Sequence, residues 1–151
     1  MTEKLGMTSS RKGTLAVLSV SPLEEDHLSL QAIVGHSTWT LFNADRVPAA
    51  LACLRQHEIS VVLCESDLMP ETWIDMLDHV RDLSHPPTLI VTSRLADDRL
   101  WAAALNLGAW DVLAKPFDRS EVIRTVKSGW QHWHDQIQIP TPSAEVMRAA
   151  S

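Results

Sequence analysis

Residues 108–117 read Gly-Ala-Trp-Asp-Val-Leu-Ala-Lys-Pro-Phe, and this stretch decides the fold. Glycine commonly ends a helix, and the helical pattern over residues 96–107 stops at Gly108. Residues 110–114 form a short, mostly apolar run, which predicts a buried strand. After the break at Lys115-Pro116, residues 118–121 resemble a capping box and predict a helix that continues to about Asp135. A helix, a strand and a helix therefore follow one another directly.

The earlier part of the chain repeats this alternation. Short apolar runs predict strands at residues 14–20, 38–43, 59–64 and 88–92, and helical patterns predict helices at residues 21–34, 46–57 and 70–83. We expect Ser21 to cap the first of these helices, with Glu24 completing a capping box. Strands that alternate with helices of this length favour a parallel sheet covered on both faces. Functional residues of such sheets lie just after the strands, at their carboxyl ends.

Composition predicts one domain and excludes several function classes. The chain has 151 residues, is 45% hydrophobic and carries a formal net charge of −6 without a basic stripe, which argues against nucleic-acid binding. It also lacks an apolar run of the roughly 20 residues that a spanning helix needs, so we expect no membrane association.

We predict a disordered segment at 1–13, a domain at 14–136, a tail at 137–151 and a cytoplasmic location. Cys53 and Cys64 favour reduced thiols over a disulfide.

The Gly-Ala pair, the strand after it and Lys115-Pro116-Phe117 resemble the receiver domains of bacterial two-component response regulators. The resemblance covers about residues 14–135 and includes the fivefold strand–helix order. It implies a single α/β domain with a doubly wound, flavodoxin-like parallel sheet of strand order 2-1-3-4-5. In that family, an acidic pair after strand one and an aspartate after strand three hold Mg²⁺, and the aspartate accepts a phosphoryl group from a histidine kinase. A hydroxyl after strand four and a lysine after strand five contact that group.

The match to this pattern is partial. Lys115 matches the family lysine, Pro116 resembles the family's cis proline, and Ser93 matches the hydroxyl, although Ser93 is equally suited to capping the fourth helix. Ser21 and Pro22 stand where the family has its acidic pair. The acids at residues 24–26 fall inside the first helix, where we interpret them as first-turn residues that favour the positive end of the helix dipole rather than as metal ligands.

The residue equivalent to the phosphoacceptor has more than one candidate. Alignment on the end of the third strand places Glu65 there, whereas counting back from Pro70 places Ser66 there, and Asp67 is the nearby aspartate. We favour Glu65, because it directly follows the apolar strand. Its carboxylate would reach toward Ser93 and Lys115 and would imitate part of the charge of a phosphoryl group.

These substitutions predict a pseudo-receiver that keeps the fold and has lost the usual phosphorylation. Without the acidic pair, Mg²⁺ loses most of its oxygen ligands, so we expect neither a metal site nor another cofactor, and no enzymatic activity. We expect a protein partner, such as a histidine kinase or another signalling protein. Two alternatives stay open. One is a phosphorylatable receiver that uses Asp67 with an atypical metal shell, and the other is a small-ligand module at the strand-end crevice, which an apolar pocket lined by Trp73 would favour.

The fourth helix has more apolar residues than one buried stripe requires, which predicts an exposed surface. Trp101 falls outside the stripe, and Trp110 and Trp130 lie on the neighbouring strand and helix. In receiver-like proteins these elements often form a partner face. We therefore expect Trp101, Trp110 and Trp130 to contribute to an interface, which includes a homodimer through the fourth helix, fifth strand and fifth helix.

Overall fold

The computed structural model describes residues 15–138, in which five strands alternate with five helices. The sequence predicts a disordered segment at residues 1–13 and a tail at residues 137–151. Both lie outside the described part, except that the last helix includes residues 137 and 138. The elements are β1 (Ala16–Val20), α1 (Glu24–Val34), β2 (Thr40–Ala44), α2 (Val47–Gln56), β3 (Val61–Glu65), α3 (Trp73–Arg81), β4 (Thr88–Ser93), α4 (Asp98–Leu107), β5 (Asp111–Ala114) and α5 (Arg119–Gln138).

The strands form one parallel sheet in the order β2-β1-β3-β4-β5, which confirms the fold expected from the sequence. Every residue of β3 and β4 is buried, as is typical of central parallel strands that are covered on both faces. One apolar core lies between the sheet and α2, α3 and α4. A second core lies under α1 and α5 on the opposite face. None of the helices within residues 15–138 is both long and apolar enough to cross a membrane.

Local capping differs from the prediction at two helices. The expected capping box of Ser21 and Glu24 is wrong, because α1 begins only at Glu24 and its N-cap, Leu23, has no side-chain cap. The Ser21 hydroxyl instead accepts a hydrogen bond from the Leu23 backbone N–H at 3.1 Å. At α3, the capping box is formed by Thr72 and Asp75, so this helix begins later than the predicted Pro70.

A glycine inside α5 is explained by the close approach of this helix to the sheet. Gly129 is buried, and its carbonyl accepts a 2.8 Å hydrogen bond from the Thr88 hydroxyl at the start of β4. A Cβ at residue 129 would lie 3.3 Å from Thr88 Cγ2. Glycine costs a helix roughly 1 kcal/mol relative to alanine, but α5 nevertheless runs without interruption to Gln138, past the predicted end.

Both cysteines are free, as the sequence predicted. Cys64 is buried in β3, and burial, together with the negative charge of the adjacent Glu65, raises the pKa of its thiol. Cys53 is half-buried in α2, and burial also raises the pKa of this thiol. Both groups are therefore held as neutral thiols.

Candidate functional site

The residues that follow the strands meet at the carboxyl edge of the sheet, as a parallel sheet requires. The hydrogen-bond ladder continues one residue beyond β3 and β5. The Lys115 backbone N–H donates to the Ser93 carbonyl at 3.0 Å, and the Ser66 N–H donates to the Thr92 carbonyl at 2.8 Å. These bonds fix the turns after β3 and β5 against the end of β4. Side chains that are distant in sequence are thereby held together.

Lys115 lies at the centre of this edge, between two carboxylates. Its Nζ is 2.8 Å from Asp26 Oδ2, to which it donates a hydrogen bond, and 2.5 Å from Glu65 Oε1. Glu65 Oε1 has no hydrogen bond of good angle within residues 15–138, so its contact with Lys115 is an ion pair. All three side chains are at most 7% exposed. The site is therefore a buried charge cluster of one ammonium and two carboxylates, which we call the Lys115 cluster.

The environment keeps the Lys115 ammonium charged. Burial by itself lowers the pKa of a lysine, because an ammonium loses its hydration. Here the hydrogen bond to Asp26 and the close negative charges of Asp26 and Glu65 outweigh burial, so the pKa of Lys115 lies above its ordinary value. Lys115 is thus a fixed positive charge at neutral pH.

The turn after β3 orients Glu65. Its second carboxylate oxygen, Oε2, accepts a 2.9 Å hydrogen bond from the Asp67 backbone N–H. Asp67 itself is exposed, whereas Glu65 is buried at the last position of β3. Of the three candidates for the phosphoacceptor position, Glu65 is the one whose carboxylate reaches Lys115.

The hydroxyl groups of this edge bond to one another. Ser66 Oγ lies 2.8 Å from Ser93 Oγ and 3.3 Å from Glu65 Oε2, and because a hydroxyl has one hydrogen, the shorter contact is the main bond. Ser93 Oγ also accepts from the Leu95 N–H at 3.0 Å. One of the two sequence interpretations expected Ser93 to cap α4. This is wrong, because the N-cap of α4 is Asp97, whose side chain accepts from the Leu100 N–H.

Asp26 is the site residue that the sequence interpretation missed. Glu24 and Glu25 are exposed first-turn residues of α1, as expected, but Asp26 is buried. Its Oδ2 accepts 2.7 Å and 2.8 Å hydrogen bonds from Ser21 Oγ and from Lys115. The signal was available in the spacing: Asp26 lies four residues before Leu30, and both belong to the buried side of the helix.

His27 supports the loop that carries Ser21. Its Nε2 is 2.9 Å from the Ser21 carbonyl, which can only accept, so Nε2 carries the hydrogen. Nδ1 then accepts from the hydroxyl of Ser19, also at 2.9 Å. The ring is buried, so His27 packs inside the fold, and Ser21 is held next to Asp26.

A cleft of about 340 Å³ opens beside the Lys115 cluster. It is lined by Glu25, Asp26, Ser29, Arg94, Lys115, Pro116 and Phe117. The Lys115–Pro116 peptide bond is cis, as the resemblance implied. Pro22, which stands with Ser21 at the position of the family's acidic pair, is exposed. Trp73, the first residue of α3, is buried in the apolar core and does not line this cleft.

The apolar surface expected on the fourth helix is present. Trp101 and Trp110 are 40% and 37% exposed, and Leu95, Leu105 and Leu107 are exposed beside or within α4. We call this set the α4–β5 face. Trp130 is half-buried, packs against the core under α5 and stacks on His134. Participation of these tryptophans in an interface stays a prediction.

Comparison with protein families gives a match over most of the described domain. The model of the response regulator receiver domain matches residues 25–127. Among curated proteins, the sensory transduction protein LytR of Staphylococcus saprophyticus is 26% identical over 83 residues, which are 55% of this chain and 32% of that protein. LytT of Bacillus subtilis is 25% identical over 84 residues, which are 56% of this chain and 34% of that protein. The matched segments span about a third of the length of these curated relatives.

Solved structures show the same fold. The signal receiver domain of an HD domain-containing protein from Pseudomonas fluorescens has a TM-score of 0.73 at 24% identity, with 81% of this chain and 98% of that chain covered. A response regulator from Thermotoga maritima has a TM-score of 0.71 at 20% identity, with 78% and 98% covered. At these identities the likeness concerns the fold alone.

Proposed function

The chain belongs to the response regulator receiver domain family, and from that premise we propose that it is a receiver of two-component signalling that is not phosphorylated in the usual way. In this proposal Glu65 stands at the phosphoacceptor position as a permanent carboxylate. The observation that carries the proposal is the Lys115 cluster. The lysine that would contact a phosphoryl group is already paired with Glu65 and Asp26, and all three side chains are buried.

Charge supports this proposal. A phosphoryl group carries about −1.5 to −2 at neutral pH, whereas a carboxylate carries −1. Glu65 and Asp26 together supply two carboxylates to one ammonium, so Lys115 is compensated without any phosphoryl group. A phosphoryl group added beside this cluster would place further negative charge next to two buried carboxylates. Labelling of this site is therefore electrostatically unfavourable.

The site also fits Mg²⁺ poorly. Mg²⁺ prefers an octahedral set of oxygen ligands, usually one or two carboxylates with several waters. The two carboxylates that reach the edge are both turned toward the Lys115 ammonium, and Ser21 donates its hydrogen to Asp26. Within residues 15–138, no group of three or more His, Cys, Asp or Glu side chains is arranged to hold a metal. A cation would have to displace Lys115, so we propose that the domain works without Mg²⁺ or another cofactor.

The output of such a module is contact with another protein, and it has no enzymatic activity of its own. The α4–β5 face supplies exposed apolar side chains for this contact, including Trp101 and Trp110. The partner in this proposal is a histidine kinase or another cytoplasmic signalling protein, and a homodimer through α4, β5 and α5 is the variant in which the partner is a second copy.

Intact mass after incubation with acetyl phosphate and Mg²⁺ tests the proposal. We expect no added phosphoryl group on the folded protein, while a receiver domain that is phosphorylated under the same conditions gains one. Circular dichroism before and after incubation shows that the fold is kept. A stoichiometric phosphoryl adduct would overturn the proposal, and its loss in Asp67→Asn would establish the alternative in which the exposed Asp67 is the acceptor.

A further inference from the structure

A second cleft lies at the amino edge of the sheet, opposite the Lys115 cluster. It has a volume of about 220 Å³ and lies between the end of α3, the start of β4 and the last turns of α5. Its apolar walls include Leu77 and Val80 of α3, Trp133 of α5, and Trp110, which directly precedes β5. We call it the Trp110–Trp133 cleft. None of the residues of the Lys115 cluster lines it.

The polar side chains of this cleft comprise the charged Arg81 and the neutral groups of Thr88, Trp110, His132, Trp133 and Gln136. Trp133 is 6% exposed, and its indole N–H has no hydrogen-bond partner within residues 15–138. A buried N–H without a partner costs about 1–3 kcal/mol, and a ligand acceptor that reached this group after a shift of the side chain would recover part of that cost. The cleft is also lined by Arg81, which contributes a guanidinium, and no acidic residue lines it. The charge of Arg81 therefore favours an anion over a cation in this cleft.

Arg81 lies against the end of α4 and has only a weak acidic partner. Gly108 ends that helix with φ +109°, and a Cβ there would come within 2.5 Å of Arg81 Nη2, so the guanidinium lies directly against this glycine. The nearest acid is Asp78, with Oδ1 3.5 Å from Arg81 Nη1. Both side chains of this pair are at least half exposed, and such surface pairs contribute little. Arg81 can therefore exchange Asp78 for a better partner.

The shape and the walls of the cleft narrow the class of ligand. A cavity of about 150 Å³ holds benzene, and pockets for drug-sized molecules begin at about 300 Å³. A volume of about 220 Å³ therefore suits one or two fused rings with a small substituent. Indole rings favour aromatic partners, and the planar fork of arginine matches a carboxylate. We propose that the Trp110–Trp133 cleft binds a small aromatic carboxylate, with its ring against the tryptophans and its carboxylate on Arg81.

Titration with 1-naphthoate tests this site, with 1-naphthamide as the neutral match of the same shape. The chain has six tryptophans, so the indole N–H signals can be followed one by one by ¹⁵N NMR. We expect naphthoate to shift the Trp133 signal, with a dissociation constant at or below about 1 mM, as typical efficiencies for a ligand of this size imply. The amide should bind at least tenfold more weakly.

Arg81→Gln separates charge from shape. It should weaken naphthoate at least tenfold and leave the amide unchanged, whereas Arg124→Gln, at an exposed position of α5 outside the cleft, should change neither. Trp133→Phe keeps an aromatic wall but removes the N–H, and should also weaken naphthoate. Arg81 is exposed, so its variant is expected to fold, which the dispersion of the amide spectrum checks. Equal binding of acid and amide, no response of the Trp133 signal up to 10 mM (about tenfold the expected constant), or full affinity in Arg81→Gln would overturn the proposal.

Discussion

Replacement of Lys115 by methionine should destabilise the domain and should reverse the effect of Glu65. The ammonium is the positive member of a buried cluster, and methionine keeps an unbranched apolar chain in its place. Its removal leaves the carboxylates of Asp26 and Glu65 buried next to each other without compensation. The variant therefore tests whether the two contacts stabilise the edge of the sheet.

The magnitude follows from the two distances and from burial. At an effective dielectric constant of about 20, unit charges 2.8 Å apart attract by about 6 kcal/mol, and much of this is offset by the cost of removing the charges from water. Breaking a buried pair by removing one partner typically costs about 3–5 kcal/mol, because the remaining charge is left unpaired. Since single domains are stable by about 5–15 kcal/mol, Lys115→Met should lose at least about a fifth of the stability.

Urea unfolding followed by circular dichroism measures this loss. In the wild-type background, Glu65→Gln should lower the free energy of unfolding, because Lys115 loses one partner. In the Lys115→Met background, the same change should raise it, because one of the uncompensated carboxylates disappears. Lys127→Met, at an exposed position of α5, is the matched control and should stay within about 0.5 kcal/mol of the wild type.

The expected effect of Glu65→Gln has opposite signs in the two backgrounds, so the test does not require an accurate free energy of unfolding. If Glu65→Gln destabilises both backgrounds alike, Glu65 acts through packing or through its bond from the Asp67 N–H rather than through Lys115. If Lys115→Met costs less than about 1 kcal/mol, the contacts are no stronger than a surface pair, and the cluster does not hold the edge of the sheet.

Three further outcomes are expected. The pKa of Lys115 in the folded state is raised above its ordinary 10.5. The charged ammonium therefore contributes its full stabilisation below pH 10.5, and this contribution is lost as the pH rises through the folded-state pKa. In urea titrations above about pH 10.5, the wild type should lose more stability than Lys115→Met. Gly108→Ala should lower stability by about 1–3 kcal/mol in thermal unfolding, since φ is +109° and the new Cβ would meet Arg81. A thiol reagent should label the half-buried Cys53 before the buried Cys64, and simultaneous labelling without unfolding would contradict the burial of Cys64.

The fold was predictable because each element has a strong local signal. The fully buried strands β3 and β4 contain the apolar runs Val61–Cys64 and Leu89–Val91. Gly108 marks the end of α4, and Pro116 follows the end of β5. The ends of the elements were less predictable, since they depend on caps that compete with one another. At α3, for example, Thr72 forms the capping box, although Pro70 is also suited to the first turn of a helix.

The candidate site was predictable in part. Glu65, Ser93 and Lys115 directly follow or end strands, so the parallel sheet alone brings them together. Asp26 follows no strand and was assigned to the helix dipole. Its spacing to Leu30 places it on the buried side of α1, but spacing alone does not show which partner a buried carboxylate has. That partner is Lys115, 89 residues further along the chain, and only the fold brings the two side chains together.

The presence of Asp26 also bears on how a signal could leave this domain. If a phosphoryl group were to recruit Lys115, the ammonium would have to give up two carboxylates, at a cost of about 3–5 kcal/mol. A hydrogen bond to a charged group returns only about 1.5–3 kcal/mol. By this comparison the exchange is unfavourable, and we expect Lys115 to keep its two carboxylate partners. Under the proposed function, the Lys115 cluster holds the edge of the sheet in one arrangement, and recognition falls to surfaces whose side chains are free to bind, such as the α4–β5 face.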